Sequence, residues 1–298
     1  MEYEKCTRCG HPLARIDGIG RCLYCGWATV PRPPTTRITY SEEIMQSVES
    51  FVDKCHERLL CGEGSAKTYL KYRGVSEESI EKWKIGYIPE DPDIPGIWSR
   101  NQHLWGNRIL FPIWDQTGRY VIAAGARKFS VDDRPKYVNS SESQFFHKRN
   151  NLYGSWNIPA HTDVVFLCEG YLDVISMVSR MKVSGRETAG SKTYSETHAV
   201  ASLGTALTSE QAAWLRERTN FVCIAYDADE PGQEATKKAL TVLNQAGFPY
   251  EDISVLTLEG GKDVDEVLTK GGTMTEMTVY DWFGERGDTE SQAKIMLG

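Results

Sequence analysis

This 298-residue chain is short of several things, and each shortage narrows what it can be. It has no run of about 18 consecutive apolar residues, so no helical segment is set to span a bilayer. Its N-terminus, MEYEKCTRCG, has no apolar h-region and reads as no secretory signal. The cytoplasm is therefore the expected compartment, with no membrane partner. It also lacks a basic excess: 34 Lys and Arg stand against 41 Asp and Glu, a net charge of −7. That excludes a protein coated in positive charge but not one with a local basic face. Internal repeats are absent. Four of the eight cysteines, Cys55, Cys61, Cys168 and Cys223, are scattered, which argues against a disulfide framework.

What is present is ordinary for a globular protein, with 40% apolar and 25% charged residues, and enough length for two or three domains. Residues 1–29 form a small Cys-rich unit, and the Pro-rich stretch VPRPPTTR lies in a linker, 30–40. Ile44, Val48, Phe51, Val52 and Leu59 predict an amphipathic helix from Ser41 to about Leu60, with Ser41 as N-cap and Glu42 and Glu43 in its first turn. SAKTYLKYRG reads as a second helix closing at Gly74, and SEESIEKWKIG as a third ending near Gly86. RILFPIWDQTGRYVIAAGARK reads as a β-hairpin turning at Asp115–Gly118. Residues 100–149 hold nine Lys and Arg against four acids, so this part of the chain is locally basic.

From Asp163 onward strands and helices alternate. The strands VVFLCE, AVASLG, FVCIAY and ISVLTL are almost wholly apolar, the pattern of a parallel sheet covered on both faces. Helices are expected near 171–181, 209–219 and 232–246. Residues 182–197, polar and rich in Gly, Ser and Thr, read as an exposed insertion. The expected fold class is α/β: an α+β unit over 41–157, a parallel-sheet α/β unit over 158–275 and a short tail or helical remnant over 276–298, all preceded by the Cys-rich unit.

Cys6-x2-Cys9 and Cys22-x2-Cys25 are each followed by Gly. Two such pairs supply the four soft ligands of a structural Zn²⁺ ribbon, a better match than a redox CxxC. Arg8, His11, Arg15, Arg21, Tyr24 and Trp27 add basic and aromatic contacts suited to single-stranded DNA.

Acids follow three of the four strands. Glu169 ends the first and Asp173 lies one helical turn on. Asp227 and Asp229 follow FVCIAY; Asp263 and Asp265 follow ISVLTL. Parallel strands bring such acids to one carboxyl edge, where α/β proteins carry their sites. Taken singly, each acid reads better as a helix N-cap or a solvated loop charge. Together they are hard oxygen ligands for Mg²⁺ or Mn²⁺. On an extended chain Asp227 and Asp229, two residues apart, point to the same side. Glu230 points away and reads as charge at a helix N-terminus, with Pro231 in the first turn. Thr208-x-x-Gln211 has the spacing of a capping box.

EGYLDV, AVASLGTALT, YDADEPGQEA and GGKDVDEVL resemble the TOPRIM fold of topoisomerases and primases. With YLKYRGVSEESIEKWKIGYIP, WGNRILFPIWDQTGRYVIAAGARKF, PKYVNS and FHKRNNLYG, residues 45–275 resemble the bacterial and phage DnaG-type DNA primases. The resemblance implies a nucleotidyltransferase that makes short RNA primers on single-stranded DNA from NTPs, with a structural Zn²⁺ and catalytic Mg²⁺ or Mn²⁺. It makes Glu169, Asp227 and Asp229 catalytic. It adds Asp173, Asp263 and Asp265 to the metal site, and gives nucleic acid or nucleotide to Arg108, Arg127, Lys136, Tyr137, Asn139 and Lys148. Val264 stands where that family favours Pro. A replicative helicase is a further partner the family implies, although the sequence carries no C-terminal domain expected to dock one. The competing readings are a TOPRIM metal-dependent nuclease and a catalytically silent single-stranded-DNA-binding replication factor.

Overall fold

The structure, a computed structural model, describes residues 5, 12–16, 19–21, 41–62, 64–98, 101–130, 135–181, 196–203 and 206–292. Two short strands, β1 (Ala14–Ile16) and β2 (Ile19–Arg21), pair as an antiparallel hairpin near the N-terminus. Cys6, Cys9, Cys22 and Cys25 lie outside the described residues, as does most of the expected insertion at 182–197.

Helix α1 (Glu42–Cys61) buries Met45, Val48, Val52, Cys55 and Leu59, a stripe at helical spacing. Ser41 stands at its N-cap, but its side chain makes no capping bond; Glu42 and Glu43 supply the favourable charge of the first turn. Helix α2 (Ser65–Tyr72) ends at Gly74, whose φ of 72° few other residues tolerate. Helix α3 (Glu77–Lys82) stops short of the expected Gly86. The chain reverses at Lys84, which takes a left-handed φ of 53°, and Gly86 instead opens strand β3 (Gly86–Ile88).

Strands β4 (Arg108–Trp114) and β5 (Val121–Lys128) form the expected hairpin. The Asp115 carboxylate fixes its turn by accepting bonds from Thr117 Oγ1 and from the Arg119 and Tyr120 amides. With β3 and β6 (Tyr137–Asn139) they make a four-stranded antiparallel sheet in the order β3-β4-β5-β6.

The second sheet is built by β7 (Thr162–Cys168), helix α4 (Tyr171–Arg180), β8 (Ala199–Ala201), helix α5 (Ser209–Arg218), β9 (Thr219–Ala225), helix α6 (Glu230–Gln245), β10 (Ile253–Glu259) and helix α7 (Val264–Lys270). Strand β11 (Thr273–Thr278) and helix α8 (Val279–Glu285) complete it. The order is β11-β10-β9-β7-β8, with β11 antiparallel to its neighbour and the rest parallel. Strand β11 runs across the break expected after residue 275. Helix α8 then buries Val279, Trp282 and Phe283 in the same core, so this tail is part of the sheet's packing.

Strand β7 is apolar from Val164 to Cys168 because both its faces are covered there. Val164, Phe166 and Cys168 face one core, and Val165 and Leu167 face the other. The first of these cores also takes Ile109, Phe111 and Ile113 from β4, so the two sheets share it. At their junction Tyr171 stacks on Phe111 at 5.1 Å and meets Tyr153 edge-on at 4.7 Å. Gly125 of β5 is required beneath that ring, since a Cβ there would lie 2.2 Å from it.

Candidate active site

Strand β7 connects outward to β8 on one side, and the chain then crosses back to β9 on the other. The crevice at the carboxyl ends of β7 and β9 is thus the point where the connections change direction, the usual place for a site in such a sheet. Glu169 directly follows β7 and Asp227 lies just beyond β9. The two strand ends are tied together, because the Asp227 amide donates to Glu169 Oε1 at 3.1 Å. Helix α6 packs so tightly on this end that a Cβ at Gly232 would come within 2.1 Å of the Asp227 carbonyl oxygen.

A cleft of about 180 Å³ opens here. One wall carries the acids Glu169, Asp173, Asp227 and Asp263; facing them are Arg127, Lys136, Tyr137 and Asn139 from β5 and the β6 segment. The acids disturb one another. Burial raises the Glu169 pKa and the Asp227 charge raises it further. Burial pushes Asp173 up to about 8, with the charges of Asp263 and Asp227 adding to the effect. Asp227 is raised by burial and by Asp263 and Asp229, against the pull of Lys262, whose Nζ lies 3.4 Å from its Oδ2.

On the opposite wall, Arg127 donates to the Tyr137 hydroxyl and its guanidinium lies 5.1 Å from that ring. The Tyr171 hydroxyl donates to Asn139 Oδ1, which joins this wall to the helix that begins beside Glu169. Lys136 is drawn below the usual lysine range by burial and by the nearby positive charges of Arg127 and Lys262. A cationic wall held against an acidic one only partly neutralised by Lys262 and Arg73 suits a ligand that carries both signs: a phosphate chain with a divalent cation.

Six of the expected residues therefore stand at the cleft together with Glu169 and Asp227: Asp173, Asp263, Arg127, Lys136, Tyr137 and Asn139. The other four do not line it. Asp229 has extended backbone and lies near enough to raise the Asp227 pKa. It caps α6, its Oδ1 accepting from the Gly232 amide at 3.1 Å, as the exposed amides of a helix start demand. Asp265 is fully buried in ion pairs with Arg73 and Arg180. Arg108 is fully buried too, donating from Nε to the Leu104 carbonyl and from Nη1 and Nη2 to those of Lys136 and Pro135. Two of these bonds hold the segment that carries Lys136 and Tyr137. Lys148 lies outside the cleft, in a turn clamped by α5: its carbonyl accepts from Gln211 Nε2 at 3.1 Å.

Sequence reasoning did not single out Arg73, which enters the cleft wall from the end of α2, or Lys262. Lys262 could have been found from its place inside GGKD, beside the acids. Arg73 meets Asp265 across 192 residues of sequence, and no local pattern announces that contact.

The donor set fits a hard divalent cation: carboxylates face one cleft and are destabilised by each other's charge. Among the described residues no three acid, His or Cys side chains converge closely enough to hold an ion by themselves. Ions of the Mg²⁺ type take only one or two carboxylates and complete their shell with water and substrate phosphate. Among the same residues no helix is long and apolar enough to cross a membrane.

Comparison with known proteins agrees with this fold. Residues 166–268 match the family described as Toprim-like, and residues 96–158 match the family described as DNA primase catalytic core, N-terminal domain. A DNA primase of Clostridium acetobutylicum is 33% identical over 247 residues, 75% of this chain and 38% of that relative's own length. A solved structure described as the DnaG primase catalytic domain bound to ssDNA is 27% identical, with a TM-score of 0.60, covering 77% of each chain. The zinc-binding and RNA polymerase domains of the Aquifex aeolicus primase share the fold at 24% identity and a TM-score of 0.63, over 93% of this chain and 78% of that one. The two family matches fall one on each sheet, and through this catalytic core the chain belongs to the DnaG-type DNA primases.

Proposed function

We propose that the chain synthesises short RNA primers on a single-stranded DNA template from NTPs. The observation that carries this reading is the cleft itself, with Glu169, Asp173, Asp227 and Asp263 facing Arg127 and Lys136. Mg²⁺ or Mn²⁺ held by those carboxylates would supply the positive charge that activates a primer 3′-hydroxyl and stabilises the departing pyrophosphate. Glu169 and Asp227, tied to each other at the strand ends, are the first choice as ligands, with Asp173 and Asp263 beside them. Asp229 keeps the start of α6 in place behind Asp227. Lys136 and Arg127 hold the phosphates of nucleotide or template, while Tyr137 and Asn139 orient that wall. The ssDNA in the related catalytic domain supports single-stranded DNA as the template. Cys6, Cys9, Cys22 and Cys25 are proposed to hold a structural Zn²⁺.

Incubation with single-stranded DNA, NTPs and Mg²⁺ or Mn²⁺ should yield primers, and the Asp227→Ala, Asp229→Ala double variant should yield none. Equal product from the two proteins rejects the reading. Chelation should release one Zn²⁺ per chain while residues 41–292 stay folded; a quadruple Cys→Ser variant that still carries zinc rejects that part.

A further inference from the structure

Asp265 belongs by sequence with the acids of the cleft, yet its surroundings are those of a buried counter-ion. Its carboxylate is fully buried. Oδ1 accepts from Ser176 Oγ at 2.6 Å and from Arg180 Nη2 at 3.0 Å. Oδ2 accepts from Nε and Nη2 of Arg73. Both oxygens are thus engaged twice, which leaves no lone pair directed at the cleft. Coordinating an ion would break a charge-assisted pair and strand two guanidinium groups in a poorly solvated place, a costly exchange.

The same network reaches the cleft by other atoms. The Asp265 amide donates to Asp173 Oδ1 at 3.1 Å, and Arg73 Nη2 lies 3.8 Å from Asp263 Oδ1. Thr269 of α7 donates to the Arg73 carbonyl at 3.3 Å and takes further bonds from Arg180. The end of α2, the outer part of α4 and the start of α7 are therefore locked around one carboxylate.

We propose that Asp265 is a positioning residue, the shared counter-ion of Arg73 and Arg180 rather than a metal ligand, and that through it Arg73 sets the places of Asp173 and Asp263 in the cleft. Asp227 and Asp265, in D-x-D pairs one strand-helix step apart, thereby do different work. The inference deepens the metal-dependent reading above and rests on it only for the ion-binding arm of its test.

That test is a double-variant cycle in the full chain, comparing wild type, Asp265→Asn, Arg73→Gln and the two combined, with Asp227→Asn as reference. Urea unfolding and Mn²⁺ binding by electron paramagnetic resonance are both read, so primer synthesis is not needed. Asp265→Asn should lower stability and weaken Mn²⁺ about tenfold or more, the usual effect of losing a group that orients ligands. Arg73→Gln should weaken Mn²⁺ to a similar extent, and the combined variant should bind Mn²⁺ no worse than either single one, because both substitutions break the same unit. Adding Arg73→Gln to Asp265→Asn should recover part of the stability, because one of the two stranded guanidinium groups is gone. The Mn²⁺ loss of Asp227→Asn should instead add to that of Arg73→Gln. A combined variant whose Mn²⁺ loss is the sum of the two single losses overturns the proposal, as do strictly additive stability losses. Should wild type bind no Mn²⁺, the metal reading falls, and the stability cycle alone judges the counter-ion. Should Asp265→Asn fail to fold, wild-type crystals grown with Mn²⁺ decide: an ion coordinated by Asp265 overturns the proposal, and an ion on the neighbouring carboxylates with the Arg73–Asp265 pair intact bears it out.

Discussion

Arg108 donates to three backbone carbonyls, two of them in the segment that delivers Lys136 and Tyr137 to the cleft. Replacing it with Met keeps the bulk and removes every donor, so the Leu104 and Pro135 carbonyls lose their charged partner and the Lys136 carbonyl keeps only the Lys128 amide. Arg108→Met should therefore cost about 2–3 kcal/mol in urea unfolding. Lys136, which lines the cleft, should behave in the opposite way. Lys136→Ala should leave stability unchanged, weaken single-stranded DNA binding, and reduce the salt dependence of that binding by about one counterion. If the two variants have the same stability, the distinction between clamp and contact fails. Cys55 gives a pH test at this scale. Burial pushes its thiol from the ordinary 9.0 up to about 12, with Arg58 opposing. Between those values the unfolded chain loses its proton while the native chain keeps it, so stability should fall as pH rises above 9.0. Cys55→Ala should flatten that part of the curve, measured by urea unfolding at pH steps upward from neutrality.

Helix α5 starts with a complete capping box: Thr208 Oγ1 accepts from the Gln211 amide, and Gln211 Oε1 accepts from the Thr208 amide. The cap also works outward. Thr208 Oγ1 donates to the Arg149 carbonyl, and Gln211 Nε2 donates to those of Lys148 and Asn151. Thr208→Ala should therefore cost about 1–2 kcal/mol, the upper part of the range for a lost cap, by thermal or urea unfolding. The box was legible because it depends on residues three apart. So were β7, β9 and β10, whose apolar runs follow from burial on both faces. Strand β11 was not, since TMTEMT lies on an exposed edge and shows no such run. The early end of α3 was hidden as well, because Lys84 carries none of the usual marks of a left-handed turn. Strand-end position marked Glu169, Asp173, Asp227 and Asp263 correctly as neighbours. It could not separate them from Asp229 and Asp265, because only the folded chain shows which carboxylate finds a helix amide or an arginine first.

The two sheets share a core, and Tyr171 is wedged between them two residues after Glu169. Its ring is held by Phe111 and Tyr153 and cannot move aside easily for a methyl group on Gly125. Gly125→Ala should cost about 1–3 kcal/mol, as overpacking does. Tyr171→Phe, which loses only the bond to Asn139, should cost about 1 kcal/mol. Both variants, and wild type, should unfold residues 41–292 in a single transition by calorimetry. Two separated transitions would contradict a shared core.

The placement of β7 between β8 and β9 also bears on how the chain is made. Val164 of β7 must find Phe221 of β9, and the residues between them include α4, β8 and α5. On the ribosome, β7 emerges with both edges unpaired and waits for β9 to leave the exit tunnel. During that interval a seven-residue strand of mostly apolar side chains is open to other nascent chains. Synthesis that stalls before residue 219 would leave it open, so the burden on holding chaperones should be heaviest for chains halted between β7 and β9.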